Sequence, residues 1–254
     1  MNELQLIIDE RESRPWGFWA TIGFSAIIFA VFTVLQFLVL MAFLDFEKAR
    51  NPQIDPDAFV QGLSSNGFCL ALSAILSGLV CTPLTVLIAK LRKDYPLKEY
   101  LALKKVSKRE WLRWLLYLGI FLLASDMLTL LLNRPIVPSF MVDAYRTAYF
   151  VPTLYIAIVI VAPIFEETFF RGFLFEGVRY SRLGPGGAIG MTSLVWAIIH
   201  LQYDTYGVAT VFALGILFGF ARLKSESVYV PIVMHSMASL VAMIETAIYV
   251  RLGG

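Results

Sequence analysis

Charge is what this chain has least of. Only 16% of its 254 residues are Asp, Glu, Lys or Arg, against about 25% in an ordinary soluble domain. Hydrophobic residues make up 58%, and the mean hydropathy is +0.72. The length would allow two soluble domains, but this balance points to one membrane-embedded body instead. A net charge of +2 is too small to imply a nucleic-acid partner. Cysteine is scarce too: Cys69 and Cys81 are the only two, in one apolar run. On a helix they stand about 18 Å apart, beyond the ~4.4–6.8 Å span of a disulfide, so they read as core- or lipid-facing filler. Long repeats and low-complexity tracts are lacking. The first 15 residues are polar and mixed in charge, and the apolar run after them is too long for a signal-peptide core, so no cleavable leader is expected.

What the chain does have is long apolar runs. A membrane-crossing helix needs about 20 mostly apolar residues. Residues 16–44, 68–89, 114–132 and 151–175 meet that requirement, and 188–201, 207–221 and 228–250 give a fifth, sixth and seventh run. The fifth and sixth are short enough to be tilted partners that need not cross fully. An eighth element is open if 135–150 dips into the membrane. The fold expected is all-α, a polytopic bundle of about seven transmembrane helices. Residues 1–150 supply the N-terminal helices and a basic loop, and 151–254 supply a functional core.

Cations orient the bundle. With seven spans and a cytoplasmic N-terminus, 16 of the 21 Lys and Arg residues fall on the cytoplasmic side, including Arg11, Arg222 and nine between 90 and 113. That asymmetry fits the positive-inside rule, so the expectation is an integral protein of the cell membrane, N-terminus inside and C-terminus outside. The 90–113 segment reads first as a topology signal. It could also contact anionic lipid head groups, at about 1 kcal/mol per cation. Gly184-Pro185-Gly186-Gly187 reads as a tight turn between two helices.

Against this apolar background the few ionisable residues inside the runs stand out, because each costs about 2.5–3.5 kcal/mol to insert and is a functional candidate by default. Glu166 and Glu167 are adjacent, and both histidines of the chain, His200 and His235, fall in apolar runs. Successive helical residues point about 100° apart, so the two glutamates face different neighbours. Glu167 and Arg171 are i and i+4 with the acid first, the favoured order for an intrahelical pair. Glu166 is left to turn elsewhere, and a carboxylate without a cation in apolar surroundings suits general acid–base work. The structural alternative is an ion-pair cluster with histidines that only bridge helices. Two histidines and two carboxylates also supply zinc-ligand types. With no HExxH pair, zinc is permitted but not indicated; its ligands would be Glu166, His200 and His235.

Spacing adds supporting residues. Trp196 lies four before His200 and Ser239 four after His235, so each pair shares a helical face. Ser239 could donate to a developing oxyanion or simply bond its own i−4 carbonyl. Gly215 and Gly219 form a small-xxx-small face for close helix approach. Asp126 is either a further site acid or an interhelical hydrogen-bonding group.

Four ordered stretches then resemble one family. Glu166-Glu167-Thr168-Phe169-Phe170-Arg171 resembles the EExxxR motif of the CAAX-processing and bacteriocin-processing (CPBP, or Abi) membrane proteases. Trp196–His200 looks like its FxxxH motif with Trp for Phe. Phe212, Gly215 and Gly219 resemble its glycine-bearing motif, and His235–Ser239 its HxxxN with Ser for Asn. The resemblance covers roughly 151–250. It implies a helical bundle around a cavity open to the cytoplasmic leaflet, where a glutamate and a histidine activate water to hydrolyse a peptide bond. Carried over, Glu166 is the general base, His200 polarises the same water, Glu167 pairs with Arg171, and His235 stabilises the oxyanion.

At Ser239 the family pattern is broken: a hydroxyl is shorter than an amide and lacks its two N–H donors. Losing one such donor typically slows hydrolysis by about 10²–10³. The resemblance implies no cofactor, zinc having been the earlier proposal for the family. Its implied partners are membrane lipids and a peptide or lipidated protein substrate, either a prenylated CAAX tail or a bacteriocin-related peptide. Oligomeric state is not specified. A non-proteolytic immunity or scaffold protein using the same cavity is the alternative. A proton-linked carrier is a third reading, weakened by the lack of an internal inverted repeat.

Overall fold

The computed structural model describes residues 14–53, 55–63, 65–200 and 202–253. Arg11 and Leu201, used above for topology and for the fifth run, lie outside the described residues. Among those described, all regular structure is helical.

In chain order the helices are α1 (Phe18–Arg50), α2 (Pro56–Leu63), α3 (Gly67–Lys90), α4 (Leu97–Tyr100), α5 (Lys108–Leu131), α6 (Ser139–Thr147), α7 (Val151–Arg179), α8 (Gly184–Ile198), α9 (Thr205–Ser225) and α10 (Tyr229–Arg251). Six of them, α1, α3, α5, α7, α9 and α10, are long and apolar enough to cross a membrane. The fifth expected run is α8, with 15 residues. At 1.5 Å per residue that is about 22 Å, short of a ~30 Å hydrocarbon core. The Gly-Pro-Gly-Gly stretch differs from expectation: the turn is at 180–183, and Gly184 already begins α8. Pro185 fits there because the first helical N–H groups have no intrahelical acceptor. The 135–150 segment contains the nine-residue α6.

Leu112, Leu116, Leu123, Met127 and Leu131 form one exposed stripe along α5, as a lipid-facing surface requires. Helix α7 is the most enclosed span, 44% of its apolar window being buried against 17% for α1 and α5. Its hydrogen-bond register is also unusual. Ile156–Val161 and Thr168–Leu174 are π-helical, separated by the α-helical Ala162–Glu167. Pro163 follows the first π stretch; proline cannot donate the i→i−4 bond, and a change of register absorbs that loss. Such π insertions in helices are frequent at functional sites.

The chain packs as two compact units. The first comprises the residues up to 28 with 82–118 and 166–234; the second comprises 29–81, 119–165 and 235 onward. In the first unit, helix ends gather on the basic segment. Trp16 Nε1 donates to Ile88 O at 3.0 Å, and Arg92 Nε to Arg14 O at 2.9 Å. Tyr95 Oη donates to Glu176 Oε1 at 2.9 Å, and Val228 N to Ala102 O at 3.0 Å. Because α7 and α9 both end at this segment, α8 leaves it and α9 returns to it. His200 lies at the far end of that hairpin, between α8 and α9. Close approach of α8 and α9 uses the two expected glycines: a Cβ on Gly219 would meet Ile189 at 3.0 Å, and one on Gly215 would meet Ser193 at 3.0 Å.

The second unit is built on Ala71, Val137, Met141, Val142, Leu154, Ala157 and Met243. Gly67 N donates to Thr147 Oγ1 at 2.8 Å, and Tyr155 Oη to Met243 O at 3.3 Å. Cys69 packs with Val39 and Leu63. Cys81 is fully buried, and the two cysteines are not bonded to each other.

Candidate active site

The first unit brings five of the expected residues together. Glu166, Glu167 and Arg171 come from α7, Trp196 from α8, and His200 from the turn after it. Trp196 Nε1 donates to Glu166 Oε2 at 2.5 Å, which fixes the carboxylate's orientation through one oxygen. The face of the same indole lies against Arg171, the guanidinium carbon 4.7 Å from a ring centroid. One side chain therefore touches both halves of the EExxxR motif.

His200 corrects an expectation. It was placed inside an apolar helix, but α8 ends at Ile198 and His200 lies beyond it. The reason is local. In a continuing helix the Trp196 carbonyl would accept the backbone N–H of His200. Instead it accepts the ring: His200 Nδ1 sits 2.7 Å from Trp196 O, and the backbone N turns to Ala197 O at 3.1 Å. The histidine thereby caps a carbonyl that the helix end leaves over. A carbonyl can only accept, so Nδ1 carries the proton, and in the neutral ring Nε2 keeps its lone pair. The ring meets Trp196 edge-on at 5.1 Å and stacks on Tyr203 at 6.2 Å. Burial pushes the Tyr203 phenol up, and the charge of Glu166 adds to that rise.

Glu167 and Arg171 form the expected pair. Arg171 Nη1 donates to Glu167 Oε1 at 3.1 Å with both side chains fully buried. Arg171 Nη2 donates to Gly215 O at 3.1 Å, and its cation also lies near the rings of Phe218 (5.6 Å) and Phe170 (5.9 Å). Removing one partner of such a pair is far costlier than the pair is worth, typically about 3–5 kcal/mol. Gly215 serves twice, giving α8 its close approach and Arg171 an acceptor.

His235 and Ser239 lie on α10 and belong to the second unit. His235 is buried there and Ser239 half-buried. Asp126, in the same unit, lies within electrostatic range of Glu245, an acid the sequence analysis did not single out. Among the described residues no three His, Cys, Asp or Glu side chains form a group that could hold a metal ion.

Sequence reasoning missed a second polar cluster. Arg222, counted above as a cytoplasmic-side cation, is 1% exposed, as is Glu176. Arg222 Nη2 donates to Glu176 Oε2 at 2.9 Å, and Arg179 Nη2 to Glu176 Oε1 at 3.2 Å. Both charges sit near the ends of apolar runs, where a sequence gives no sign of whether a side chain turns to water or inward.

Comparison with known proteins fits this arrangement. Residues 148–241 match the Rce1-like family, described as type II CAAX prenyl endopeptidase Rce1-like. A protein described as an uncharacterized 24.3 kDa protein of Escherichia coli is 29% identical over 131 residues, covering 50% of this chain and 58% of that protein. The chain thus aligns with less than two thirds of that relative's length. No solved structure matches at comparable significance. The stretch that matches the Rce1-like family holds both glutamates, Arg171, Trp196 and both histidines.

Proposed function

We propose that this chain is an intramembrane endopeptidase that hydrolyses a peptide bond near the end of a membrane-associated protein or peptide, with residues 151–254 as its catalytic core. The observation that carries the reading is the chain of contacts Glu166–Trp196–His200. It orients a carboxylate through one oxygen and presents an imidazole whose Nε2 can accept a proton.

In this mechanism Glu166 takes a proton from a water molecule also held by His200 Nε2. The water oxygen bonds to the scissile carbonyl carbon, whose π electrons move to the oxygen. Following the family motif, His235 donates a hydrogen bond to that oxyanion, with Ser239 in the place of the usual Asn. Collapse of the tetrahedral intermediate breaks the C–N bond, and Glu166 returns its proton to the leaving amine. Glu167 and Arg171 hold the α7 segment and act through position. No metal is used in this scheme, and the N-terminus and the 90–113 segment lie on the cytoplasmic side.

The test is to incubate detergent-purified protein with prenylated and unprenylated C-terminal peptides and identify products by mass spectrometry. Cleavage by the wild type, abolished by Glu166→Gln and by His200→Ala in protein that still inserts and folds, is the expected result. Normal cleavage by either variant would rule the mechanism out. One feature favours a second reading, a binding or immunity protein: Ser239 lacks the N–H donors of the family's Asn. That reading gains if Glu166→Gln protein retains full function in a complementation assay.

A further inference from the structure

Arg222 belongs to none of the four motif stretches, yet it joins the motif helix by its main chain. Its Nη2 donates to Glu176 Oε2 at 2.9 Å, and its Nε donates to the carbonyl of Arg171 at 2.8 Å. Both oxygens of Glu176 are occupied, because Oε1 accepts from Tyr95 Oη at 2.9 Å and from Arg179 at 3.2 Å. The Arg222 guanidinium also lies 5.2 Å from the Phe175 ring centroid. A lysine would carry all its donors on one nitrogen, whereas arginine uses two nitrogens of its planar fork, Nε and Nη2, to reach acceptors on two residues.

The register of α7 explains why that carbonyl needs a donor. Across Thr168–Leu174 the helix is bonded i→i+5, and Phe175 N–H reaches back to Phe170 O as well as facing Gly172 O. Where the ladder reverts to i→i+4, one carbonyl is skipped, and the next after Phe170 O is that of Arg171. A backbone carbonyl left over in an enclosed apolar body is costly. Arg222 Nε supplies the missing donor. Arg171 is then held twice, by Glu167 and Gly215 through its side chain and by Arg222 through its main chain.

We propose that Arg222 is a positioning residue for the site: by bonding the Arg171 carbonyl while anchored on Glu176, it sets the π register that presents Glu166, Glu167 and Arg171. The kinetic consequence rests on the peptidase reading above.

Two double variants isolate the bond. Glu176→Gln with Arg222→Gln, and Glu176→Gln with Arg222→Met, both neutralise the buried pair, and both leave the partly exposed Arg179 equally without its carboxylate. The Gln Nε2 stands at the same bond position as Arg Nε, whereas Met offers a methyl group there. With the peptide the wild type cleaves best, the Met variant is expected to show about 10–100-fold lower kcat than the Gln variant at unchanged KM. Equal kcat in the two double variants overturns the proposal. Should the wild type cleave no peptide of the panel, the peptidase reading fails, and this proposal is judged instead by hydrogen exchange of amides 168–175. Faster exchange in the Met than in the Gln variant supports it; equal rates overturn it.

Discussion

The indole N–H of Trp196 donates to the Glu166 carboxylate at 2.5 Å, where the family motif places a phenylalanine that has no such donor. In this chain the tryptophan orients the proposed base as well as walling the site. A hydrogen bond to a charged group is worth about 1.5–3 kcal/mol. Trp196→Phe keeps an aromatic wall and removes the donor, so kcat for peptide cleavage is expected to fall about 10-fold or more while the protein stays folded. An unchanged kcat would show that Glu166 is oriented by something else.

Arg171→Ala should be the most damaging single change to stability in the first unit, costing about 3–5 kcal/mol, because it leaves the Glu167 carboxylate buried without its cation. Adding Glu167→Met to Arg171→Met should recover much of that loss. Thermal unfolding in detergent measures both. A double variant no more stable than Arg171→Met alone would contradict the account.

Gly215 and Gly219 separate by what surrounds them. A Cβ on Gly215 would press on Ser193, Trp196 and Arg171 Nη2 at 3.0–3.2 Å, whereas one on Gly219 meets only the Ile189 side chain at 3.0–3.3 Å. Overpacking costs about 1–3 kcal/mol where neighbours cannot yield. Gly215→Ala should therefore lower both Tm and activity, because Trp196 and Arg171 are pinned by their own partners. Gly219→Ala should cost less and leave kcat close to wild type.

Glu226 ends α9 in the left-handed region at φ 53°, where glycine is the usual residue. Its ion pair with Lys104 is exposed, and such pairs contribute about 0–1 kcal/mol. Glu226→Gly should thus be neutral or stabilising by up to about 1 kcal/mol. The Lys104 hydrogen bond and charge hold the Glu226 carboxyl below the usual carboxylate range. Stability from a lowered folded pKa is present above the unfolded value and lost as pH falls through the folded one. Any advantage of the glycine variant should accordingly grow in acid, as Tm measured against pH would register.

Chelator treatment addresses the zinc alternative. Activity is expected to survive it, and purified protein to carry no stoichiometric zinc. Zinc bound one to one, and lost on substituting His200 or His235, would reinstate a metal mechanism.

Much of this was legible in the residues. The apolar runs mark the long helices, and the i, i+4 spacing of Glu167 and Arg171 foretells their ion pair. The 100° step between Glu166 and Glu167 foretells that the two part company. Other features depend on packing that no local pattern encodes. The donor for the Arg171 carbonyl, at the second π stretch of α7, comes from Arg222, 51 residues away. The end of α8 before His200 follows from the ring competing for the Trp196 carbonyl. The second role of Trp196 was present in its one polar atom, but its acceptor lies 30 residues away on another helix.

The gathering of helix ends on the basic segment sets a reach for any substrate. Glu166 precedes the last residue of α7, Arg179, by 13 positions, which places it up to about 20 Å along the helix from that end. A polypeptide spans about 3.3 Å per residue when extended. A tail entering alongside the basic segment must then stay unfolded for roughly six residues before its backbone draws level with the carboxylate. Under the proposed peptidase function, cargo entering by this route whose folded body continues to within two or three residues of its terminus would be too short-tethered to be cut.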